Sequence, residues 1–332
     1  MGIPVECPLC GKQSETTLEA IDSRSPIECR SCHSSFALGD VFERLYNEEG
    51  LVRDSVDIVA KYATSQRELK VSDKKSRDAT EQLLKDVGFE DLVRETARQN
   101  LVHGDAFLRI VRKGESVGWG LIPPARVAVK TSWAREADWK SMALREDEFV
   151  FTTQEDRTVF TPDDVIHFRK SLFSYEQVPY GTSMIEICLG DLHSLRELRR
   201  IPISAKPGFQ SPLGYLEENI ILGLGVPKPV LEKSLSGLDA GIAQFIVGRF
   251  VGQVNSLRRI LSDGFDRALE RFANQKGLNA VPVIEFGRLQ ERRVLLDCGF
   301  DFSEEVRALR AVYEAGIISK EELDRRLGEY LP

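Results

Sequence analysis

The sequence predicts an α+β protein with a small metal-binding module at its N-terminus. Apolar residues recur at helical spacing before residue 105 and again after residue 183, and the period changes to two between them. Two Cys-x-x-Cys pairs fall within the first 32 residues. At 332 residues the chain is long enough for one large domain or two ordinary ones.

Four cysteines near the N-terminus have the spacing of a zinc ribbon. Eighteen residues separate the two pairs, which are formed by Cys7, Cys10, Cys29 and Cys32. Each pair can place two thiolates on one turn, and two facing turns make a tetrahedral site. Gly11 suits the tight turn after the first pair. The alternative is unlinked or disulfide-bonded cysteines, which we disfavour because no export signal is recognisable. We expect a structural zinc ion here.

The other cysteines and the histidines show no second ligand pattern. Cys188 and Cys298 stand singly among apolar residues and are expected to be small core hydrophobes. His33 follows the second pair and could replace a ligand, but four thiolates already complete the shell. His167 lies in a predicted strand, where a core or interface role is favoured over that of a base.

Three helices are expected before the β region. Val52, Val56 and Val59 predict a helix over about 51–64. The polar run Ser65–Ala79 is typical of a solvated connection. Two further amphipathic helices are predicted by apolar residues on either side of Gly88: Leu83, Leu84 and Val87 before it, and Phe89, Leu92, Val93, Ala97 and Leu101 after it.

Strands are expected between residues 105 and 169. The hairpin and single strands predicted by the period of two are Ala106–Arg112, Val117–Leu121, Val127–Lys130, Glu148–Thr153, Thr158–Phe160 and Val165–Phe168. Trp119, Trp133 and Trp139 fall in or near this region. We interpret them as packing anchors, in preference to stacking platforms.

Helical patterns return after the β region. Ser183 and Glu186 have capping-box spacing, and Ser319 with Glu322 repeats it after Gly316. A long helix is predicted over Ile242–Lys276, with an apolar stripe that includes Phe245, Val251, Val254, Leu257, Ile260, Leu261, Phe265, Leu269 and Phe272.

Four arginines of this helix are expected elsewhere on its surface: Arg258, Arg259, Arg267 and Arg271. Solvated or intersubunit ion-pairing faces are favoured over DNA contacts for them. Beyond the helix, Val281–Phe286 and Arg293–Leu296 are predicted to form a strand pair.

Composition and motifs exclude several function classes. The formal net charge is −7, whereas proteins that grip duplex DNA usually carry a basic footprint. No apolar run approaches the roughly 18 residues of a membrane span, so no membrane partner is expected. The chain has neither a phosphate loop ending in Gly-Lys-Ser/Thr nor a Gly-x-Ser-x-Gly elbow. We therefore predict that the protein is not an enzyme.

Five segments, in the same order, resemble motifs of tailed-bacteriophage portal proteins. They are LVHGDAFLRI (101–110), LIPPARVAVK (121–130), DVIHFRKSLFSYEQVPYGTSMIE (164–186), ENIILGLGVPKPVL (218–231) and VYEAGIISKEELDRRLG (312–328). Each motif alone is weak evidence, because the same residues also occur at ordinary helix ends and turns. Five in the family's order are hard to obtain by chance.

The resemblance implies a portal-like body of long helices and a mixed β region. It also implies a dodecameric ring at one capsid vertex, through which double-stranded DNA passes without sequence-specific binding. The implied partners are further copies of the chain, the capsid protein, the terminase (the packaging ATPase), and tail or adaptor proteins. The implied location is the virion, after assembly in the host cytoplasm.

One departure from the family concerns the stem and clip, because only residues 201–215 separate two segments that portals place far apart. The expected domains are a zinc ribbon (1–45), a wing-like body of helices then strands (46–200), a shortened stem, clip or tunnel loop (201–238) and a C-terminal helical part (239–332). The alternative function is a zinc-ribbon adaptor or regulator that binds nucleic acid or a protein.

Overall fold

The architecture of this chain was obtained as a computed structural model. It describes residues 3–17, 25–113, 116–135, 142–152, 157–170, 180–200, 210–235 and 239–328. Within these residues, helices combine with small antiparallel sheets, which confirms the predicted α+β class. The chain divides into two compact units. Unit 1 comprises Met1–Leu224 and Ser256–Gly287, and unit 2 comprises Gly225–Asn255 and Arg288–Pro332.

Unit 1 begins with two short β-hairpins. β1 (Ile3–Glu6) pairs with β2 (Gln13–Thr16), and β3 (Ile27–Glu28) pairs with β4 (Ser35–Phe36). One Cys-x-x-Cys pair lies in the turn of each hairpin. The inward side chains Val5, Ile27 and Phe36 are buried, so both hairpins contribute to a small apolar core.

Four helices follow in unit 1: α1 (Leu38–Glu48), α2 (Gly50–Thr64), α3 (Lys74–Asp86) and α4 (Phe89–His103). α2 matches the predicted helix and buries the predicted face of Val52, Val56 and Val59. Gly88 separates α3 from α4 with a φ of 61°, a left-handed conformation that glycine adopts without steric cost.

The polar run Ser65–Ala79 is not the predicted solvated connection. It holds β5 (Arg67–Lys70) and the start of α3. The Asp73 carboxylate caps this helix by accepting from the amide and the hydroxyl of Ser76 at 2.9 and 2.8 Å. β5 pairs with β12 (Val283–Phe286). The prediction was wrong because this pairing partner lies far away in the chain and leaves no local signal.

Two three-stranded sheets form the β region, with strand orders β11–β6–β7 and β10–β9–β8. Their strands are β6 (Asp105–Lys113), β7 (Ser116–Ile122), β8 (Val127–Arg135), β9 (Met142–Thr152), β10 (Arg157–Phe160) and β11 (Val165–Arg169). Every predicted strand of this region is present, and β8 and β9 extend further than predicted. Side chains from both sheets share one core: Phe107, Ile122, Val127, Val129, Phe149, Phe160 and Val165.

Trp119 of β7 is buried, which confirms its predicted packing role. Its ring lies 6.5 Å from that of Phe89 and 6.3 Å from that of Phe265, measured between centroids. Trp139 and the side chain of Trp133 lie outside the described part of the chain.

The chain turns helical again after Ser183, but not through the predicted capping box. The Ser183 amide donates to the Glu186 carboxylate at 3.3 Å, whereas its hydroxyl accepts from the Ile185 amide at 3.0 Å and donates to the Val102 carbonyl. A capping box would also require the Ser183 hydroxyl to accept from the Glu186 amide. The hydroxyl instead makes a tertiary contact with the Val102 carbonyl. A short 3₁₀ turn follows before α5 (Leu189–Arg200), which packs on α6 (Gln210–Leu224). Residues 201–209 of the shortened segment lie outside the described residues.

α8 (Ala240–Lys276) is the predicted long helix and belongs to unit 2 up to Asn255 and to unit 1 from Ser256. Its stripe is buried at most predicted positions, but Phe245 is 73% exposed. Arg258, predicted on the surface, is only 3% exposed. Its guanidinium donates to the carbonyls of Tyr62 and Ser65 at 2.6 and 3.0 Å, at the C-terminus of α2, where the helix dipole favours a cation.

Unit 2 combines the first part of α8 with four further helices: α7 (Lys228–Leu231), α9 (Glu291–Asp297), α10 (Ser303–Glu314) and α11 (Lys320–Gly328). The predicted strand Arg293–Leu296 is wrong, because these residues lie in α9. Val294 and Leu295 are both buried, and adjacent residues share a buried side on a helix more readily than on a strand.

The junction of α10 and α11 confirms the predicted helix end at Gly316 and the predicted helix cap at Ser319. Gly316 has a φ of 72°, and the Ser319 hydroxyl accepts from the Glu322 amide at 3.2 Å. No helix within the described ranges combines the length and the apolar character needed to cross a membrane.

Candidate metal centre

The two Cys-x-x-Cys pairs form the same tight turn. In the first turn, the Cys7 amide donates to the Lys12 carbonyl and the Gly11 amide donates to the Cys7 carbonyl, both at 2.9 Å. In the second turn, the Cys29 amide donates to the Ser34 carbonyl at 2.9 Å and the His33 amide donates to the Cys29 carbonyl at 2.8 Å. Gly11 and His33 take the equivalent left-handed positions, with φ of 71° and 56°. The hairpins thereby present two matching pairs of thiols.

The four sulfur atoms of Cys7, Cys10, Cys29 and Cys32 lie within 4.8 Å of one another. The Sγ atoms of Cys7 and Cys32 are 3.8 Å apart, and those of Cys10 and Cys29 are 3.6 Å apart. A tetrahedral ion with metal–sulfur bonds of about 2.3 Å requires sulfur–sulfur edges of about 3.8 Å. All four cysteines are free thiols. The donor set and its geometry therefore fit a tetrahedral zinc ion.

Backbone amides favour the thiolate form of part of this cluster, the form that binds a cation. The amides of Ser31 and Cys32 point to the sulfur of Cys29 at 3.4 and 3.5 Å. The Cys32 amide is the main reason why the pKa of Cys29 falls to about 6. The Lys12 amide favours the Cys10 thiolate, but partial desolvation and the three neighbouring thiols together outweigh it and raise the pKa of Cys10 to about 12. A metal ion must therefore displace protons when it binds.

The other predicted candidates lie outside this cluster. His33 is exposed, with its ring nitrogen 4.0 Å from the Glu28 carboxylate. His167 is buried, and its Nε2 lies 2.8 Å from Asp105, as expected for a satisfied core histidine. Cys188 and Cys298 are buried, which confirms their predicted place in the core.

The two cysteine-bearing hairpins are attached to the helices of unit 1 by an ion-pair network that we call the joint: Glu6, Arg44, Glu48, Glu49, Arg196, Arg199 and Glu217. Arg196 of α5 contacts Glu6 at 2.8 Å and Glu49 at 2.6 Å, and it also contacts Glu48. This network was not among the features predicted from the sequence. No local pattern reveals it, because Arg196 and Glu6 are 190 residues apart.

A second buried site brings two of the quoted sequence segments together. Asp105, from LVHGDAFLRI, accepts from His167 at 2.8 Å and from the Gly181 amide at 2.7 Å. Asn100 donates to the Phe168 carbonyl at 2.9 Å. The segments 101–110 and 164–186 therefore meet in one hydrogen-bonded junction, which includes residues of the paired strands β6 and β11.

Glycine is required twice in this junction because two backbones touch. A Cβ on Gly181 would lie 2.1 Å from the Gly104 carbonyl oxygen, and a Cβ on Gly104 would lie 2.3 Å from the Gly181 carbonyl oxygen. Gly104 also has a φ of 82°. The glycine of Tyr-Gly-x-Ser, Gly181, therefore serves the close packing of two backbones.

Neither a family model nor a curated protein matches this chain. Several solved structures do match it. A chain of "Virion of native gene transfer agent (GTA) particle" has a TM-score of 0.56 at 15% identity, over 89% of this chain and 93% of that chain. A chain of "Neck of empty GTA particle computed with C6 symmetry" has a TM-score of 0.55 at 13% identity, over 88% and 94%.

A third neighbour is a chain of "Neck of native GTA particle computed with C12 symmetry". Its TM-score is 0.53 at 14% identity, over 95% of this chain and 97% of that chain. At these identities the likeness concerns the fold. The fold of this chain, over most of its length, is thus one that is found in chains of gene transfer agent virions and necks.

Proposed function

We propose that this chain is a portal, or head–tail connector, subunit of a tailed-phage-like particle. Copies of it would form a ring at one capsid vertex, through which double-stranded DNA enters and leaves. One observation carries the proposal: two kinds of likeness agree. Five segments that resemble portal motifs occur in order over residues 101–328, and the fold resembles particle and neck chains over 88–95% of this chain.

The proposed ring contains about twelve copies, as the family resemblance implies; the two neck neighbours were computed with C6 and C12 symmetry, and a twelve-membered ring is compatible with both. Its partners would be the capsid protein, the terminase, and tail or adaptor proteins. Its place would be the virion, after assembly in the host cytoplasm. Its role would be structural, without catalysis.

The negative net charge of the chain is compatible with a channel through which DNA passes without tight binding. With a net charge of −7, each subunit repels the phosphate backbone overall, which favours passage over adhesion. Three of the four long-helix arginines considered as DNA contacts donate to main-chain carbonyls of unit 1: Arg258, Arg267 and Arg271. Sequence-specific binding of DNA is accordingly not proposed.

We further propose that Cys7, Cys10, Cys29 and Cys32 bind one structural zinc ion. Chains below about 40 residues rarely fold without a metal or disulfides, and the two hairpins have little apolar core of their own. The sulfur–sulfur distances of 3.6 and 3.8 Å support the proposal.

Negative-stain microscopy and mass photometry of the purified full chain test the ring. We expect rings with a central hole and a mass of about twelve subunits. A monodisperse monomer or dimer at high concentration, both with and without zinc, would overturn the portal proposal and favour the adaptor alternative.

A further inference from the structure

The zinc-binding hairpins and helix α5 share a set of buried charges. Glu6, the last residue of β1, directly precedes the first proposed ligand, and its side chain is about nine-tenths buried. Its carboxylate lies against the first cysteine turn, because its Oε1 is 3.5 Å from the position of a Cβ on Gly11. The same carboxylate contacts Arg196 of α5 at 2.8 Å.

A second bond connects the ligand backbone itself to the helices. The Arg44 guanidinium of α1 donates to the carbonyl of Cys7 at 2.8 Å and lies 3.5 Å from Glu6. That carbonyl also accepts the amide that closes the first cysteine turn. The shape of the turn and the position of Arg44 therefore depend on each other.

Arg196 connects these groups to the connection between α1 and α2. It contacts Glu49, which lies between the two helices, at 2.6 Å, and Glu49 is 7% exposed. Arg199, one turn later, contacts Glu49 at 3.0 Å and Glu217 of α6 at 3.2 Å. Buried charges of this kind are costly to leave unpaired, so the joint tends to be made or broken as a unit.

We infer that zinc binding at the four cysteines is energetically coupled to the docking of α5, through Glu6, Arg44 and Arg196. The inference rests on the proposed zinc site, and it assigns that site a function beyond the folding of its own hairpins. Metal loss frees the first turn, displaces Glu6, and leaves Arg196 with fewer partners. α5, the last described helix before residues 201–209, then loses part of its attachment.

Coupling is reciprocal, which gives the inference a quantitative test. If zinc stabilises the docked α5, then breaking the joint must weaken zinc binding by the same factor. Arg196→Gln removes the central cation and leaves every cysteine in place. Arg94→Gln is the matched control, because Arg94 also pairs with a carboxylate, that of Asp91 at 3.5 Å, but both side chains are exposed and lie on α4, outside the hairpins.

Two measurements on the full chain decide the matter. Competition with a chromophoric chelator gives the zinc Kd, which we expect to rise about tenfold in Arg196→Gln and less than about twofold in Arg94→Gln. Hydrogen exchange of peptides from α5 should be at least about tenfold faster in the zinc-free wild type than in the zinc-loaded one. Should Arg196→Gln fail to fold, Glu6→Gln replaces it, with the same expected direction.

Three outcomes are informative. A higher Kd in the joint variant together with faster exchange of α5 without zinc supports the inference. If both variants bind zinc with equal Kd values and the hydrogen exchange of α5 does not depend on zinc, the inference is overturned. The proposed zinc site is then unaffected. Failure of the wild type to bind zinc overturns both, independently of whether the chain forms rings.

Discussion

The guanidinium of Arg267 donates a hydrogen bond to the main-chain carbonyl of His167 at 2.9 Å. One turn later along α8, Arg271 donates to the Val165 carbonyl at 3.3 Å. β11 is an edge strand of its sheet. Four residues of helix and two residues of strand each advance by about 6–7 Å, so the two arginines match alternate carbonyls of the strand. The helix thereby covers a sheet edge that would otherwise be open to another strand.

Arg267→Met should destabilise unit 1 by about 1–2 kcal/mol, because it removes a charged donor from the carbonyl of the edge strand. Urea unfolding measures the loss. Arg259→Met is the control, since Arg259 is an exposed residue of the same helix. Equal unfolding free energies for the two variants would show that the edge contact contributes nothing measurable.

Gly181→Ala should be severely destabilising, by about 3 kcal/mol or more, because the new Cβ would overlap the Gly104 carbonyl oxygen, 2.1 Å away. Thermal and urea unfolding of the soluble fraction test this. Gly190→Ala is the matched control: nothing lies within 4 Å of its Cβ position, and alanine favours α5 by up to about 1 kcal/mol. A Gly181→Ala protein as stable as the control contradicts the close backbone contact.

Metal analysis of the purified chain should find one zinc ion per subunit, and Cys29→Ser should abolish it, because a tetrahedral site that loses one of four thiolates loses most of its affinity. Mass spectrometry of the metal content measures both. Cys188→Ala should retain the zinc, since Cys188 is a buried core residue outside the cluster. A wild type with much less than one zinc, or a Cys29→Ser variant that retains it, would falsify the metal proposal.

Glu43 should make the stability of unit 1 depend on pH in the acid range. The hydrogen bond from His103, and the charge of Arg98 at 3.0 Å, lower the pKa of this carboxyl below its ordinary value of 4.5. A lowered folded-state pKa adds stability that is present above the ordinary pKa and is lost as the pH falls through the lowered one.

Glu43→Gln should therefore cost about 0.5–1 kcal/mol at neutral pH, discounted because the side chain is partly exposed, and should flatten the acid side of the profile. Urea midpoints measured from about pH 7 down to about pH 3 give the two curves. Glu81→Gln, an exposed change on α3, is the control. Parallel curves for the wild type and Glu43→Gln contradict the prediction.

Much of the local structure could be predicted because its causes are local. The apolar face of α2, the hairpin of β6 and β7, and the cap at Ser319 each depend on residues within a few positions of one another. The wrong predictions share the opposite property. Ser65–Ala79 looked solvated because the partner of β5 is β12, and Arg258 looked exposed because its acceptors are on α2.

By itself, the sequence determined the α+β class, the order of most elements and the four cysteines as one candidate metal site. Those features follow from periodicity and spacing, which the chain carries locally. Only the tertiary structure decided that Arg267 covers β11, that Gly181 meets Gly104, and that Arg196 joins the hairpins to α5. Such contacts join distant segments, and their energies depend on which surfaces the packed chain brings together.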